Sequence, residues 1–182
     1  MKLHIGCGKK NFGKDWVHID GSQYEHIKYH NISKFDFDDN TVDLIYASHV
    51  FEYFDRDEAK DVLKEWRRVL KPNGILRLAV PDFEACSKLY NEKKYDLDTF
   101  ASMFYGKWKV TENITVYHKT IYDFKSLKIL LENNGFNNIK LWNWKNTCHS
   151  HFDDYSQAYL PHMDKENGTL ISLNVEASKP YK

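Results

Sequence analysis

The feature that most limits the fold is a series of short apolar stretches, each closed by small or acidic residues. Leu3-His4-Ile5 ends in Gly6-Cys7-Gly8, and Trp16-Val17-His18-Ile19 ends in Asp20. A weaker stretch covers Ile27 to Ile32, and VDLIYA (Val42 to Ala47) and ILRLAV (Ile75 to Val80) follow. Unbroken apolar runs fit strands covered on both faces, and their alternation with helical sequence is the α/β pattern. Between VDLIYA and ILRLAV, Asp55 and Glu58 have capping-box spacing. Ala59, Val62, Leu63, Trp66, Val69 and Leu70 then form one apolar stripe, ended by Pro72 and Gly74. Asp123 caps a second helix through Phe124, Leu127, Leu130 and Leu131, closed at Gly135. Phe136 to Trp144 reads as a sixth strand. Ile171 to Ala177 reads as a last one, with Ser172, Asn174 and Glu176 on a wetter face.

The remainder is less regular. Residues 81–118 hold Phe83, Tyr90, Tyr95, Phe100, Phe104, Tyr105, Trp108 and Tyr117 among many lysines. They are expected to form helices and loops above the sheet, within one domain spanning 1–182. Residues 145–168 form a long polar connection, of the length that usually carries function or motion. Cys148, His149, Ser150 and His151 with Asp153 and Asp154 are too tightly spaced for a standard zinc site, so no metal is expected. Asp153, Asp154, Tyr155 and Ser156 precede the last strand and are candidates to line an acceptor side.

Lysine plus arginine equals aspartate plus glutamate at 26 each, which disfavours a nucleic-acid binder. No apolar run is long enough to span a membrane, and no signal peptide is visible at Met1. Three scattered cysteines, Cys7, Cys86 and Cys148, indicate a reducing, cytoplasmic setting.

A strand, a Gly-x-Gly turn and a second strand ending in an acid make a nucleoside-binding arrangement. Small residues let a ligand approach the backbone, and Asp20 is placed to accept ribose hydroxyls. A dinucleotide fits poorly. The third position of G-x-G-x-x-G is Asn11, and KKNFGKD is too short and too poor a helix former to offer a pyrophosphate a helix N-terminus. A phosphate-free adenosine ligand such as S-adenosylmethionine (SAM) needs no such helix.

LHIGCG, WVHIDGS, VDLIYASHVFEYF and LKEWRRVLKPNGILRLAVPDF, in that order, resemble the class I SAM-dependent methyltransferases. In particular they resemble a compact bacterial branch associated with cell-surface sugars. The resemblance runs from residue 3 to about 90 and continues more loosely to the C-terminus. It implies a Rossmann-like, mostly parallel seven-stranded sheet of order 3-2-1-4-5-7-6 with the last strand antiparallel. It implies that His4, Gly6, Cys7 and Gly8 border the methionine part of SAM, with Asp20, Gly21 and Ser22 at the ribose. Asn31 and Ile32 would meet adenine, and Ala47, Ser48 and His49 the sulfonium side. His4 departs from the acid common at its position, so Lys9 and Lys10 become candidates for the methionine carboxylate. No helix precedes the first strand, so the aromatic segment 81–118 is the expected cover of the cofactor and active site.

The acceptor is expected to be a small molecule or a saccharide. Where it is a hydroxyl, a base must remove its proton, and His49 and His118 are the candidates, with Tyr122 and Asp82 weaker. Tyr46, Phe51 and Tyr53 offer ring faces to a cation. Glu52 occupies a recurrent family position. The competing readings are a nicotinamide-dependent oxidoreductase and a non-catalytic SAM-binding or partner-docking module.

Overall fold

The computed structural model describes residues 1–181. One sheet organises it, in the order β2-β1-β3-β4-β10-β7. Its strands are β1 (Lys2–Ile5), β2 (Trp16–Ile19), β3 (Val42–Ser48), β4 (Leu70–Pro81), β7 (Asn137–Leu141) and β10 (Ser172–Ser178). The first four pair in parallel, and β10 runs antiparallel to both β4 and β7. The expected order therefore stands with one strand fewer. Ile27 to Ile32 makes only a single parallel bridge, Ile19 to Tyr29, at the sheet's edge. The sixth strand is also shorter than expected, because Trp144 already lies in a 3-10 turn.

Helix α1 (Glu58–Val69) starts on the expected box. Asp55 Oδ1 accepts from the backbone N–H of Glu58, while Glu58 Oε2 accepts from that of Asp55, both at 2.9 Å. Asn73 takes the left-handed turn beyond it, φ 61°. Helix α4 (Phe124–Asn133) has a reciprocal box between Asp123 and Ser126. Segment 81–118 forms α2 (Phe83–Asn91), α3 (Leu97–Tyr105) and a hairpin of β5 (Lys107–Lys109) and β6 (Thr115–Tyr117). A small pair, β8 (Tyr159–Leu160) and β9 (Thr169–Leu170), precedes β10.

The two sheet faces differ in kind. On one, Leu3, Ile5, Ile19, Ile45, Leu76, Leu78 and Val175 meet Leu63, Trp66, Leu127 and Leu131 from α1 and α4 in an aliphatic core. Strand alternation then sends His4, Trp16, His18, Tyr46, Arg77, Asn174 and Glu176 to the other face. Segment 81–118 is not what covers that face. The cover is the polar connection after β7. Trp142 donates to the Leu78 carbonyl at 2.9 Å, Arg77 lies over the Trp142 ring, and His149 and Phe152 stack on Phe12. Arg77 and Glu176 pair at 2.9 Å beneath. Lys10, a candidate for the methionine carboxylate, holds the Asp153 carbonyl of this cover with its Nζ.

Burial keeps the layer's histidines neutral. Desolvation, with the Arg77 charge adding to it, pushes His149 down to about 4; desolvation and neighbouring histidines lower His18 and hold His4 well below its usual range. The folded pKa of His149 is below its unfolded value, so the unfolded chain takes up the proton first. Stability is lost as pH falls from about 6.5 towards 4. His149→Phe keeps an aromatic ring and removes this proton. Urea titrations between pH 6 and 4.5 are expected to show a slope shallower by about 1.4 kcal/mol per pH unit in the variant. Equal slopes would show that His149 is not held neutral by the fold.

Candidate active site

The carboxyl ends of β1, β2 and β3 meet at one edge. The turn after β1 crosses the end of β2, with the Gly6 N–H donating to the Ile19 carbonyl at 2.7 Å. Gly6 and Gly8 both have positive φ, 65° and 49°. They serve different purposes. A Cβ at Gly6 would overlap Val50 Cγ2, so the loop after β3 presses on this turn. At Gly8 a Cβ would meet nothing within 4 Å, so open space lies against its backbone.

Asp20 is nine-tenths buried at the end of β2. Its Oδ2 accepts from the Gly8 N–H at 2.8 Å, and its Oδ1 accepts from the N–H and hydroxyl of Ser22. A carboxylate offers about four acceptor positions, so Oδ2 retains room for one more donor. Cys7 lies between the glycines, and burial together with the Asp20 charge pushes its thiol up to about 12. It is therefore protonated and inert at neutral pH. Gly21 receives Val110 from the tip of the β5–β6 hairpin, which would stand 2.9 Å from a Cβ there. The hairpin thus reaches across to the end of β2.

At the end of β3, Ala47 is core, and the Ser48 hydroxyl is buried without a partner. His49 is held in the left-handed region at φ 52°, an uncommon state for a side chain larger than glycine. Its N–H is tied to the Ala79 carbonyl at 2.8 Å. His49 Nδ1 lies 3.4 Å from Glu52 Oε1, and His118 Nε2 lies 3.7 Å from the same oxygen. Glu52 is completely buried, and neither carboxyl oxygen has a hydrogen-bond partner. Burial pushes its pKa up to about 8 and that of His49 down to about 3. His118 is lowered as well, and it fits beside Gly106 only because that residue lacks a Cβ. The Tyr155 ring, mostly exposed, stands 5.4 Å from the His49 ring.

The sequence singles out both histidines, and Glu52 only as a recurrent family position, without placing its carboxyl between them. His49 and Glu52 are three apart on one turn, a visible signal, whereas His118 arrives from the end of the distant hairpin. Other candidates sit elsewhere. His4 is sealed in the aromatic layer, its ring stacked 3.9 Å from Phe12. Asn31 is exposed, and its carbonyl oxygen accepts from Ser33 N–H, Ser33 Oγ and Lys34 N–H, which leaves only its amide nitrogen free. The Ile32 side chain packs on the aliphatic core while its carbonyl takes the Trp66 indole N–H. Tyr46 and Phe51 are fully buried ring faces, Tyr46 in the layer and Phe51 against Tyr122, so neither is open to a cation. Tyr53 packs edge-on to His118. Asp82 is the N-cap of α2, and Tyr122 is buried under the Arg56 guanidinium.

Residues 3–78 match the family model described as a methyltransferase domain. A methyltransferase-like protein of Schizosaccharomyces pombe is 37% identical over 82 residues, 41% of this chain and 29% of that protein. The chain thus spans less than a third of that curated relative. Among solved structures, a SAM-dependent methyltransferase of Methanosarcina mazei aligns over the whole chain and 92% of its own, with TM-score 0.59 and 18% identity. Human N-acetylserotonin methyltransferase in complex with SAM aligns over 98% of this chain and 47% of its own, with TM-score 0.55 and 12% identity. The fold is the Rossmann-like fold of these enzymes.

The two glycines differ in what a side chain there would meet. Gly8→Ala is expected to fold, at a cost of about 1–2 kcal/mol for a left-handed alanine. Its methyl enters the open space, so S-adenosylhomocysteine affinity falls beyond what the stability loss explains. Gly6→Ala adds overlap with buried Val50, and its unfolding midpoint is expected to drop much further. Urea unfolding and calorimetric titration of both variants test this, and equal stability losses would contradict the assignment.

Proposed function

We propose that this chain is a single methyltransferase domain, residues 1–182, which moves a methyl group from SAM to a small hydroxylated or saccharide acceptor. The observation carrying the cofactor half is Asp20. It is a buried carboxylate with one unused acceptor position, beside a glycine turn open to a ligand, at the carboxyl ends of two parallel strands. No helix forms between β1 and β2, so the edge suits a nucleoside without phosphates better than a dinucleotide. The unpartnered Ser48 hydroxyl at the end of β3 is a further polar atom suited to this group. Asp20, Gly21 and Ser22 would hold the ribose, Gly6, Cys7 and Gly8 the methionine part, and the amide nitrogen of Asn31 the adenine edge. When bound, SAM supplies an electrophilic methyl on a sulfonium.

This chain's own residues then position the acceptor, exclude water and take its proton. His49 is the base candidate, because it stands at the mouth of β3 under the exposed Tyr155 ring. His118 is set back: its Nδ1 meets the Met103 carbonyl at 2.8 Å and its Nε2 faces Glu52, so it supports His49 rather than an acceptor. Exposed Tyr105, Trp108, Tyr117 and Tyr155 offer flat apolar faces of the kind that suit sugar or aromatic rings. The balanced charge offers no electrostatic footprint for nucleic acid. Among the described residues no helix is long and apolar enough to cross a membrane. Three free cysteines, two of them buried, suit a reducing cytoplasm.

Calorimetry with S-adenosylhomocysteine and with NAD distinguishes the cofactor readings. Binding of the first and not the second is expected. Asp20→Ala should weaken it by about 1.5–3 kcal/mol, the worth of a hydrogen bond to a charged group. With labelled SAM and a panel of glycosides and phenols, His49→Ala is expected to lower turnover by about 10²–10⁴-fold. NAD binding, or an Asp20→Ala affinity equal to wild type, would sink the cofactor assignment.

A further inference from the structure

The histidine nitrogens around Glu52 can be assigned from their other partners. A carbonyl only accepts, so His118 Nδ1 donates to Met103 and its Nε2 presents a lone pair to Glu52 Oε1. Asn174 donates through Nδ2 to the Ser156 carbonyl at 2.8 Å, which leaves its Oδ1 to accept from the Ser172 hydroxyl at 3.0 Å. The single proton of Ser172 is thereby committed. Its oxygen accepts from His49 Nε2 at 3.3 Å, so His49 Nδ1 also presents a lone pair to Glu52 Oε1. Two lone pairs converge on one carboxyl oxygen. Without a proton between them that arrangement is repulsive.

We propose that Glu52 is a positioning residue: its carboxyl holds a proton between His49 and His118 and thereby sets which nitrogen of His49 carries hydrogen. With the proton on Glu52, His49 is the Nε2–H form, and neither of its nitrogens can accept from a substrate. When the group ionises, the Glu52 proton passes to His49 Nδ1 and the Nε2 proton leaves to solvent. One proton is lost overall. Glu52 then accepts from Nδ1–H, and Nε2 carries a lone pair toward Ser172 Oγ, whose hydroxyl proton turns from Asn174 Oδ1 to meet it. The other groups around this centre are Tyr53 on the same turn, Tyr122 with Arg56 over its ring, and Tyr155 from the cover. Burial raises the pKa values of Tyr53 and Tyr122, so both stay neutral as Glu52 ionises. The Lys119 ammonium is turned outward to Glu58 at 2.7 Å. No cation among these is paired with the Glu52 carboxylate, consistent with its burial holding the proton on.

The catalytic meaning of this switch rests on the methyltransferase reading, but the switch itself is measured without an acceptor. The full chain is labelled with ¹⁵N-histidine, and the His49 signals are identified by their loss in His49→Gln. In wild type, His49 is expected to change from the Nε2–H to the Nδ1–H form as pH rises through about 8, the value to which burial brings Glu52. In Glu52→Gln the change disappears, because the amide cannot ionise and donates to Nδ1 at every pH. If that variant fails to fold, ¹³Cδ-glutamate labelling of wild type serves instead, with one carboxyl expected to titrate in step with His49. Identical His49 titrations in wild type and Glu52→Gln overturn the proposal. So does the absence of any carboxyl titrating above the ordinary glutamate range. S-adenosylhomocysteine titration of the same samples reports separately: no binding with an intact His49 transition would refute the methyltransferase reading and leave the switch standing.

Discussion

Only residues 6–15 separate β1 from β2, and they form no helix. In a doubly covered sheet that crossover normally supplies part of one face's cover, and here it cannot. Leu3, Ile5 and Ile19 point into the aliphatic core, so His4 and His18 necessarily point out of the opposite face. That face needs a cover able to meet polar side chains. The connection after β7 supplies one with flat rings and backbone carbonyls instead of an apolar helix stripe. Phe12, from within the short crossover itself, becomes the hub: His4, His149 and Phe152 all stack on it.

The same cover reaches the sheet edge that carries His49. Tyr46 donates to Asp154 Oδ2 at 2.6 Å, and Asp154 Oδ1 accepts from the Ser156 N–H at 2.9 Å. The Ser156 carbonyl accepts from Asn174, whose side chain fixes Ser172 under His49. A continuous hydrogen-bond path thus joins the layer to the imidazole. Inside a protein such a path is strong when every member is satisfied and costly when one is not. The cover therefore holds one face of the sheet and also fixes the ring of His49. The hairpin fixes the other side of the centre through His118, beside Gly106 at its foot.

The strands, the Asp55–Glu58 capping box and the Asp123 cap were legible because their signals are local. Apolar runs, an Asp with its N3 partner, and an Asn accepting a left-handed turn at Asn73 need no distant partner. Ile27 to Ile32 misled because it lies at the free edge, where one bridge to Ile19 is all that backbone geometry requires. The choice of cover was not legible. Residues 81–118 and 145–168 were both long and aromatic-bearing, and which one lies on the polar face is decided by contacts to Phe12 and Tyr46 far away in sequence. His49 and His118 were readable as titratable groups near the right strand ends. Their relation through Glu52 was not, since a glutamate in FEYF shows no sign of being fully enclosed.

Burial of polar groups, more than ion pairing, sets how this molecule responds to pH. Surface pairs such as Lys60–Asp57 are solvated and contribute little. The enclosed groups work in opposite directions. A histidine held below its unfolded pKa weakens the fold as pH falls, because the unfolded chain binds the proton that the layer refuses. Glu52 is held above its unfolded value, so the folded chain keeps a proton that the unfolded chain has lost. Its contribution is complete below about 4.5 and disappears as pH rises through about 8. Stability is therefore eroded from the acid side by His4, His18, His49, His118 and His149 and from the alkaline side by Glu52. The alkaline erosion runs upward from about 4.5 and is complete once Glu52 ionises near 8, so the form in which Nε2 of His49 has lost its proton has also lost that contribution.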